Sequence, residues 1–204
     1  EELVEIQSCP DWTAHDLLSH VTGLCVAISQ GDAPPADTQS WVDQQVISRR
    51  DLSSENVTAE WNRSLDSFCE VATSDMRLAM PLTYDLLVHE FDLSHALQKP
   101  NLLEDENALL LAMNVAALIL HGDISKAEVG SLLLVANDNE WQCGSGDVIA
   151  TLDLSATANP IFELKRLTGS RRSQRQLLAY PWQGDFERIL PLLSHMELPL
   201  HDIV

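Results

Sequence analysis

Apolar residues recur at helical spacing from Ala14 onward and change to shorter, strand-like patterns after Ile124, so the chain divides into a helical part and a mixed part. Leu17, Leu18, Val21, Leu24, Cys25 and Ile28 line one face of a first helix. Thr13, followed three residues later by Asp16, has the form of a capping box, and Gly31-Asp-Ala-Pro-Pro closes the segment. A short helix is predicted around Ser40 to Arg50, carrying Trp41, Val42 and Val46. Ser54 opens a longer one with Val57, Trp61, Leu65, Phe68 and Val71 on its apolar face. Pro81 suits the first turn of the next helix, which runs to about Gln98 with Leu82, Leu86, Leu93 and Leu97 as its core row. Leu103 to His121 is the most hydrophobic helix, with Gly122 as its stop. Four main helices in this order predict an antiparallel four-helix bundle over residues 1–125.

Residues 126–204 read differently. Ser131 to Ala136 is a short apolar run, Asn137-Asp-Asn is turn chemistry, and Glu140 to Cys143 and Ala150 to Thr157 read as further strands. Asn159-Pro160 opens a helix through about Leu167 that Gly169 closes, and another is predicted over Phe186 to Leu193. This part is a small α+β domain, and the whole chain is of the α+β class.

Composition narrows the function classes. Hydrophobic residues at 45% and charged residues at 21% describe an ordinary globular protein. The net charge of −19, from 31 acids against 12 bases, repels phosphate backbones, so no nucleic-acid partner is expected. Cys9, Cys25, Cys69 and Cys143 form no C-x-x-C pair, which fits a reduced, cytoplasmic protein. The longest apolar run, Ala108 to Leu120, contains Asn114 and is too short for a bilayer, so no membrane association is expected. Without heptads or a swapped arm, a monomer or weak homodimer is the expected state. The chain opens on Glu1-Glu-Leu-Val close to its first motif, as a piece of a longer protein would.

The chemistry-bearing residues lie mostly in the helical part. Asp85 and His89 stand at i and i+4, so one helix face presents both to a common ion. His20 sits at the edge of the first helix's apolar stripe and points towards partner helices; one more imidazole of this kind completes a three-ligand set with open positions for water or substrate. Asp92, on the same row as His89, is placed to accept from a ligand histidine. The bland alternative is a hydrogen-bonded core histidine, the ordinary fate of an imidazole on an apolar edge. Trp12 reads as a packing anchor, and Cys9, ahead of a helix N-terminus, as a thiol whose reactivity merits a check. In the second part, Lys165, Arg166, Arg171, Arg172, Arg175 and Arg188 are half of all the basic residues. They suit either a two-pronged grip on a carboxylate or a solvated basic face.

Three stretches carry a resemblance. Cys9-Pro-Asp-Trp-Thr-Ala-His-Asp-Leu-Leu-Ser-His, Leu87-Val-His-Glu-Phe-Asp-Leu, and Phe162-Glu-Leu-Lys-Arg-Leu-Thr-Gly-Ser-Arg-Arg-Ser followed by Trp182-Gln-Gly-Asp occur in that order. Together they resemble the mycothiol-dependent maleylpyruvate isomerase family, whose first domain is a DinB-like metal-binding four-helix bundle. The resemblance implies a divalent metal, zinc, held by His20, Asp85 and His89, with Asp92 behind them. It also implies a low-molecular-weight thiol such as mycothiol as co-substrate, and a small electrophilic, carboxylated substrate held by Arg171, or by Arg172 if Ser170 shifts the register. The expected activity is a thiol-dependent transfer or isomerisation. Two positions depart from the family pattern: Asp85 stands where glutamate is usual, and Ser170 interrupts the Gly-Arg junction. The alternatives are a non-catalytic regulatory or small-molecule-binding descendant, and a metal-dependent hydrolase using the same site.

Overall fold

The computed structural model describes residues 3–32, 35, 38–99, 105–194 and 196–203, without the side chains of 76–79 and 81. It is an α+β protein that divides into two units, Glu1–Leu102 and Leu103–Val204.

In the first unit, β1 (Glu5–Ile6) and β2 (Cys9–Thr13) pair antiparallel and lead into α1 (Ala14–Ser29). The predicted capping box is present: Thr13 accepts from the Asp16 backbone N–H, and the Asp16 side chain accepts from the Thr13 backbone N–H. Three helices follow: α2 (Thr38–Ile47), α3 (Ser54–Ser74, capped by Ser53) and α4 (Met76–Ala96). Leu17 and Val21 of α1 pack with Ile6, Trp12, Trp61, Leu86 and Leu93, while Leu24 and Ile28 pack with Leu82, Trp41, Phe68 and Val71. Helix α4 begins five residues before Pro81, not at it. The proline has no N–H to give the carbonyl of residue 77, and the core row from Leu82 onward carries the rest of the helix.

The second unit opens with α5 (Glu106–Ala127), whose cap Asp105 accepts from the N–H groups of Asn107 and Ala108. Two expectations change here. The helix passes through Gly122 and ends at Glu128 in a left-handed conformation, φ 53°. One interior glycine costs about 1 kcal/mol, and complete burial of Ile124 holds the final turn. The unit boundary also falls near residue 102 rather than 125, because α5 packs on the sheet that follows it. Asn114, the polar break in the apolar run, accepts from Trp141 Nε1 at 2.8 Å. Among the described residues α5 alone has the length and apolar composition to cross a membrane, longer than the run seen in the sequence; Met113, Ala116, Leu120 and Ile124 are buried within the protein.

The sheet comprises β3 (Ser131–Ala136), β4 (Asn139–Gly144), β5 (Val148–Asp153) and β6 (Trp182–Gly184) in the order β4-β3-β5-β6. β3 and β5 run parallel, so the chain leaving β4 must skirt the start of β3. Gly144 makes this possible: at φ 103° a Cβ would lie 2.6 Å from the Gly130 carbonyl. Leu132, Leu134, Ala136, Ala150 and Leu152 are buried at alternating positions. Helix α6 (Pro160–Thr168) packs against α5 and β3, and α7 (Gln174–Ala179), unpredicted, follows it. The helix expected over Phe186 to Leu193 is instead two short 3-10 turns, Phe186–Arg188 and Leu190–Leu192, broken by Pro191.

Candidate metal centre

The site grows from two helices of the first unit. The capping box fixes where α1 begins, and burial of Leu17, Val21 and Leu24 turns His20 inward, leaving it 3% exposed. On α4, burial of Leu82, Leu87 and Val88 sets the rotation that presents Asp85, His89 and Asp92 towards α1.

The structure brings His20, Asp85 and His89 together. One ligand atom from each lies within 4.8 Å of the others. Asp85 sits between the imidazoles, with Oδ2 3.2 Å from His20 Nε2 and Oδ1 3.5 Å from His89 Nε2. The two rings stand nearly perpendicular, 82°, with centroids 5.2 Å apart. Asp92, fully buried, approaches the far side of His89, its Oδ2 3.4 Å from Nδ1. Burial alone would raise the Asp85 carboxyl, but the charge of His89 and the hydrogen bonds from both imidazoles hold it far below the ordinary carboxylate range.

The donor set suits a divalent ion. Two ligands bonded at 2.0–2.1 Å in tetrahedral geometry stand about 3.4 Å apart, and the Asp85 oxygens are 3.2 and 3.5 Å from the two Nε2 atoms. Two imidazoles and one carboxylate leave a fourth position open, and Asp85, with 34% of its side chain exposed, marks the direction of access. The two histidines differ in their support. Nδ1 of His89 faces Asp92, whereas Nδ1 of His20 is buried with no hydrogen-bond partner among the described residues.

Two residues near the site have more to do than sequence reasoning gave them. Trp12 lies 5.0 Å from the His20 ring and 5.9 Å from the His89 ring, centroid to centroid, so its indole walls the site as well as packing the core. Cys9 falls within 4.8 Å of ligand atoms of His89 and Asp92. Both residues belong to β2, and the pairing of β2 with a two-residue strand has no sequence period that would announce it. One apolar cleft lies close by, where Val21, Cys25, Trp61, Phe68, Leu82 and Leu86 meet between α1, α3 and α4.

Arg171 and Arg172 lie in the second unit and are both buried. Arg172 does grip a carboxylate with two prongs, but the carboxylate is the chain's own Glu163: Nε and Nη2 donate at 2.6 and 2.7 Å. Its Nη1 donates to the carbonyls of Arg171 and Ile203, and the Tyr180 hydroxyl donates to the same Glu163. Burial would raise the Glu163 carboxyl, yet Arg172 and Tyr180 outweigh it and hold it low, while burial and Glu163 drive the Tyr180 phenol up. Arg171 donates to the Gly169 carbonyl at 2.8 Å. Lys165 and Arg166 are buried as well, so this stretch is no solvated face; only Arg175 and Arg188 are exposed, paired with Asp202 and Asp185.

The remaining histidines hold structural contacts. His15 is half-buried between Ser54 Oγ and the Arg49 carbonyl. His121 Nδ1 accepts from the Gly144 N–H, and His95 meets Gln7 and stacks on Phe91. His201 is exposed, and His195 lies outside the described residues. No protein family, no curated protein and no solved structure matches this chain.

Proposed function

We propose that the first unit is a DinB-like metal-binding bundle and that the chain is a metal- and thiol-dependent transferase or isomerase. The substrate is a small carboxylated electrophile, the co-substrate a low-molecular-weight thiol of the mycothiol kind, and the setting the cytoplasm. The observation that carries this reading is the convergence of His20, Asp85 and His89 from two helices 65 residues apart in sequence. The ordered resemblance of three sequence stretches to the mycothiol-dependent maleylpyruvate isomerase family supports it.

In this reading His20, Asp85 and His89 hold a divalent ion, with zinc the best match to the donors. A bound zinc lowers the pKa of a thiol or water and so supplies a nucleophile at neutral pH. The protein's own contributions are positional. Asp92 fixes the tautomer and orientation of His89. Trp12 shields the imidazoles from water on one side. The resemblance gives the substrate carboxylate to Arg171 or Arg172, and Arg172 already holds the chain's own Glu163.

A second reading draws on the site itself. Asp85 already satisfies both imidazoles as a hydrogen-bonded set, and its short side chain replaces the family's glutamate, features that suit a non-catalytic small-molecule-binding descendant. Elemental analysis of protein purified without chelators separates the readings. One ion per chain, bound also by Cys9→Ser and lost when His20→Ala is added to Cys9→Ser, supports the enzyme; no ion in the wild type supports the descendant. With cobalt bound, a spectrum altered by thiols favours thiol chemistry, and one altered only by hydroxide favours a hydrolase.

A further inference from the structure

His89 is flanked on both sides. Its Nε2 faces Asp85 at 3.5 Å and its Nδ1 faces Asp92 at 3.4 Å. On the Asp92 side a third donor is in reach: Cys9 Sγ, a ring nitrogen of His89 and an Asp92 oxygen all lie within 4.8 Å of one another. Cys9 forms no disulfide and is half-exposed, while His89 and Asp92 are buried. Its backbone is held by the β1–β2 ladder, where Cys9 pairs with Ile6.

We propose that Cys9, Asp92 and Nδ1 of His89 form a second cation site, selective for thiophilic ions, and that the shared His89 lets only one of the two sites fill at a time. The donors argue the selectivity. A sulfur, nitrogen and oxygen set suits zinc, cadmium and cobalt, whereas the set built on His20 and Asp85 holds no sulfur. The imidazole argues the exclusivity. A neutral ring has one nitrogen lone pair and one N–H, so an ion on Nδ1 leaves the proton on Nε2, pointing at Asp85, and an ion on Nε2 leaves it on Nδ1, pointing at Asp92. Each acid is thus a ligand in one state and the proton acceptor in the other. When the outer site fills, the Cys9 thiol gives its proton to solvent and the thiolate bonds the ion; nothing is oxidised. The half-exposed sulfur provides the route of arrival, and a water completes the coordination. This inference does not require the inner set to bind an ion at all.

Cobalt titration with optical detection tests it, because thiolate ligation adds a sulfur-to-cobalt charge-transfer absorption in the near ultraviolet that nitrogen and oxygen ligands do not give. The wild type is expected to bind one cobalt per chain, with the band in proportion to the share of ions on the outer set. His20→Ala, which breaks only the inner set, keeps the band at full strength per ion. Cys9→Ser loses it, and cadmium affinity falls at least about tenfold, the lower end of what removing even an outer partner costs a metal site. If His20→Ala fails to fold by circular dichroism, His20→Gln replaces it. A band absent from both the wild type and the His20 variant overturns the proposal, as does a band that survives in Cys9→Ser. Two cobalt ions per chain overturn the exclusivity. A Cys9→Ser protein that binds no ion while the His20 variant keeps its band would sink the enzyme reading and leave this one standing.

Discussion

Replacing His20 by alanine in a Cys9→Ser background, which removes the sulfur of the outer set, tests the inner site with a readout that needs no substrate. The three ligand atoms lie within 4.8 Å of one another, so an ion draws them together with side-chain adjustment alone, and binding is coupled to the folded state. At a zinc concentration about a hundred times the dissociation constant, an ion that binds only the folded chain adds about 2.7 kcal/mol. For a unit the size of Glu1–Leu102 each kcal/mol moves the melting temperature by about 4–8 °C. The expected rise on adding zinc is therefore about 10–20 °C. Loss of a second-shell partner costs a metal site 10–100-fold in affinity, and loss of a ligand at least the upper value. In His20→Ala the same zinc concentration then stands near the dissociation constant, leaving about 0.4 kcal/mol and a rise of about 2–3 °C. The assay is differential scanning calorimetry with and without zinc, on Cys9→Ser alone and on Cys9→Ser carrying either His20→Ala or the exposed control His201→Ala. Comparing zinc-induced shifts within each variant cancels the destabilisation that truncating a buried ring causes by itself. Equal shifts with and without His20→Ala in the Cys9→Ser background, or no shift in either, would refute the reasoning.

Trp12→Phe should remove most of the fluorescence quenching that copper or cobalt produces, since this indole lies 5.0 and 5.9 Å from the two histidine rings; undiminished quenching would place the ion elsewhere. Glu163→Gln strips Arg172 of its ion pair and should lower stability by about 2 kcal/mol in urea titration, less than the 3–5 for a fully buried pair because Glu163 is 22% exposed. Because the folded protein holds this carboxyl low, the wild-type advantage is present above about pH 4.3 and fades as pH falls through the folded value; an advantage that grows on acidification would contradict the assignment. With a thiol-specific reagent at pH 8, exposed Cys69 should react first, and Cys143, pushed up to about 12 by burial, only on unfolding.

What could be read from the sequence follows the range over which each interaction acts. Helices α1 and α3 are legible because their stripes and caps are local, from Thr13 to Ile28 and from Ser53 to Val71. The end of α5 is not, because Gly122 is a valid stop locally and only burial of Ile124 overrides it. Likewise α7 and β6 are too short to show a period, and β6 exists because it pairs with β5. The same division runs through the site. Asp85 and His89 share a helix face, and His20 lies on a stripe, so all three announce themselves. Cys9 does not, since its place depends on a strand register. Arg172 was legible as a carboxylate-gripping residue but not as one already occupied: Ser170, in the left-handed region at φ 60°, turns the chain back so that Arg172 meets Glu163 on the preceding helix.

The charge carried by the site explains why a cation is the natural reading of it. Asp85 and Asp92 flank one imidazole, Asp92 fully buried and Asp85 partly so, beside the Trp12 indole. With both imidazoles neutral, the form a metal ligand requires, the two carboxylates sum to −2 in a region of reduced dielectric, where unbalanced charge costs several kcal/mol per ion. A single divalent ion cancels that sum on either side of His89. Removing one negative charge should therefore weaken the demand for an ion while easing burial. Asp92→Asn is the clean case: it keeps the shape and removes the charge 3.4 Å from Nδ1, and should raise the stability of the metal-free protein while reducing zinc affinity by about 10–100-fold. If Asp92→Asn instead destabilises the metal-free protein, the buried carboxylate is structural in its own right, and charge balance is not what the site is built around.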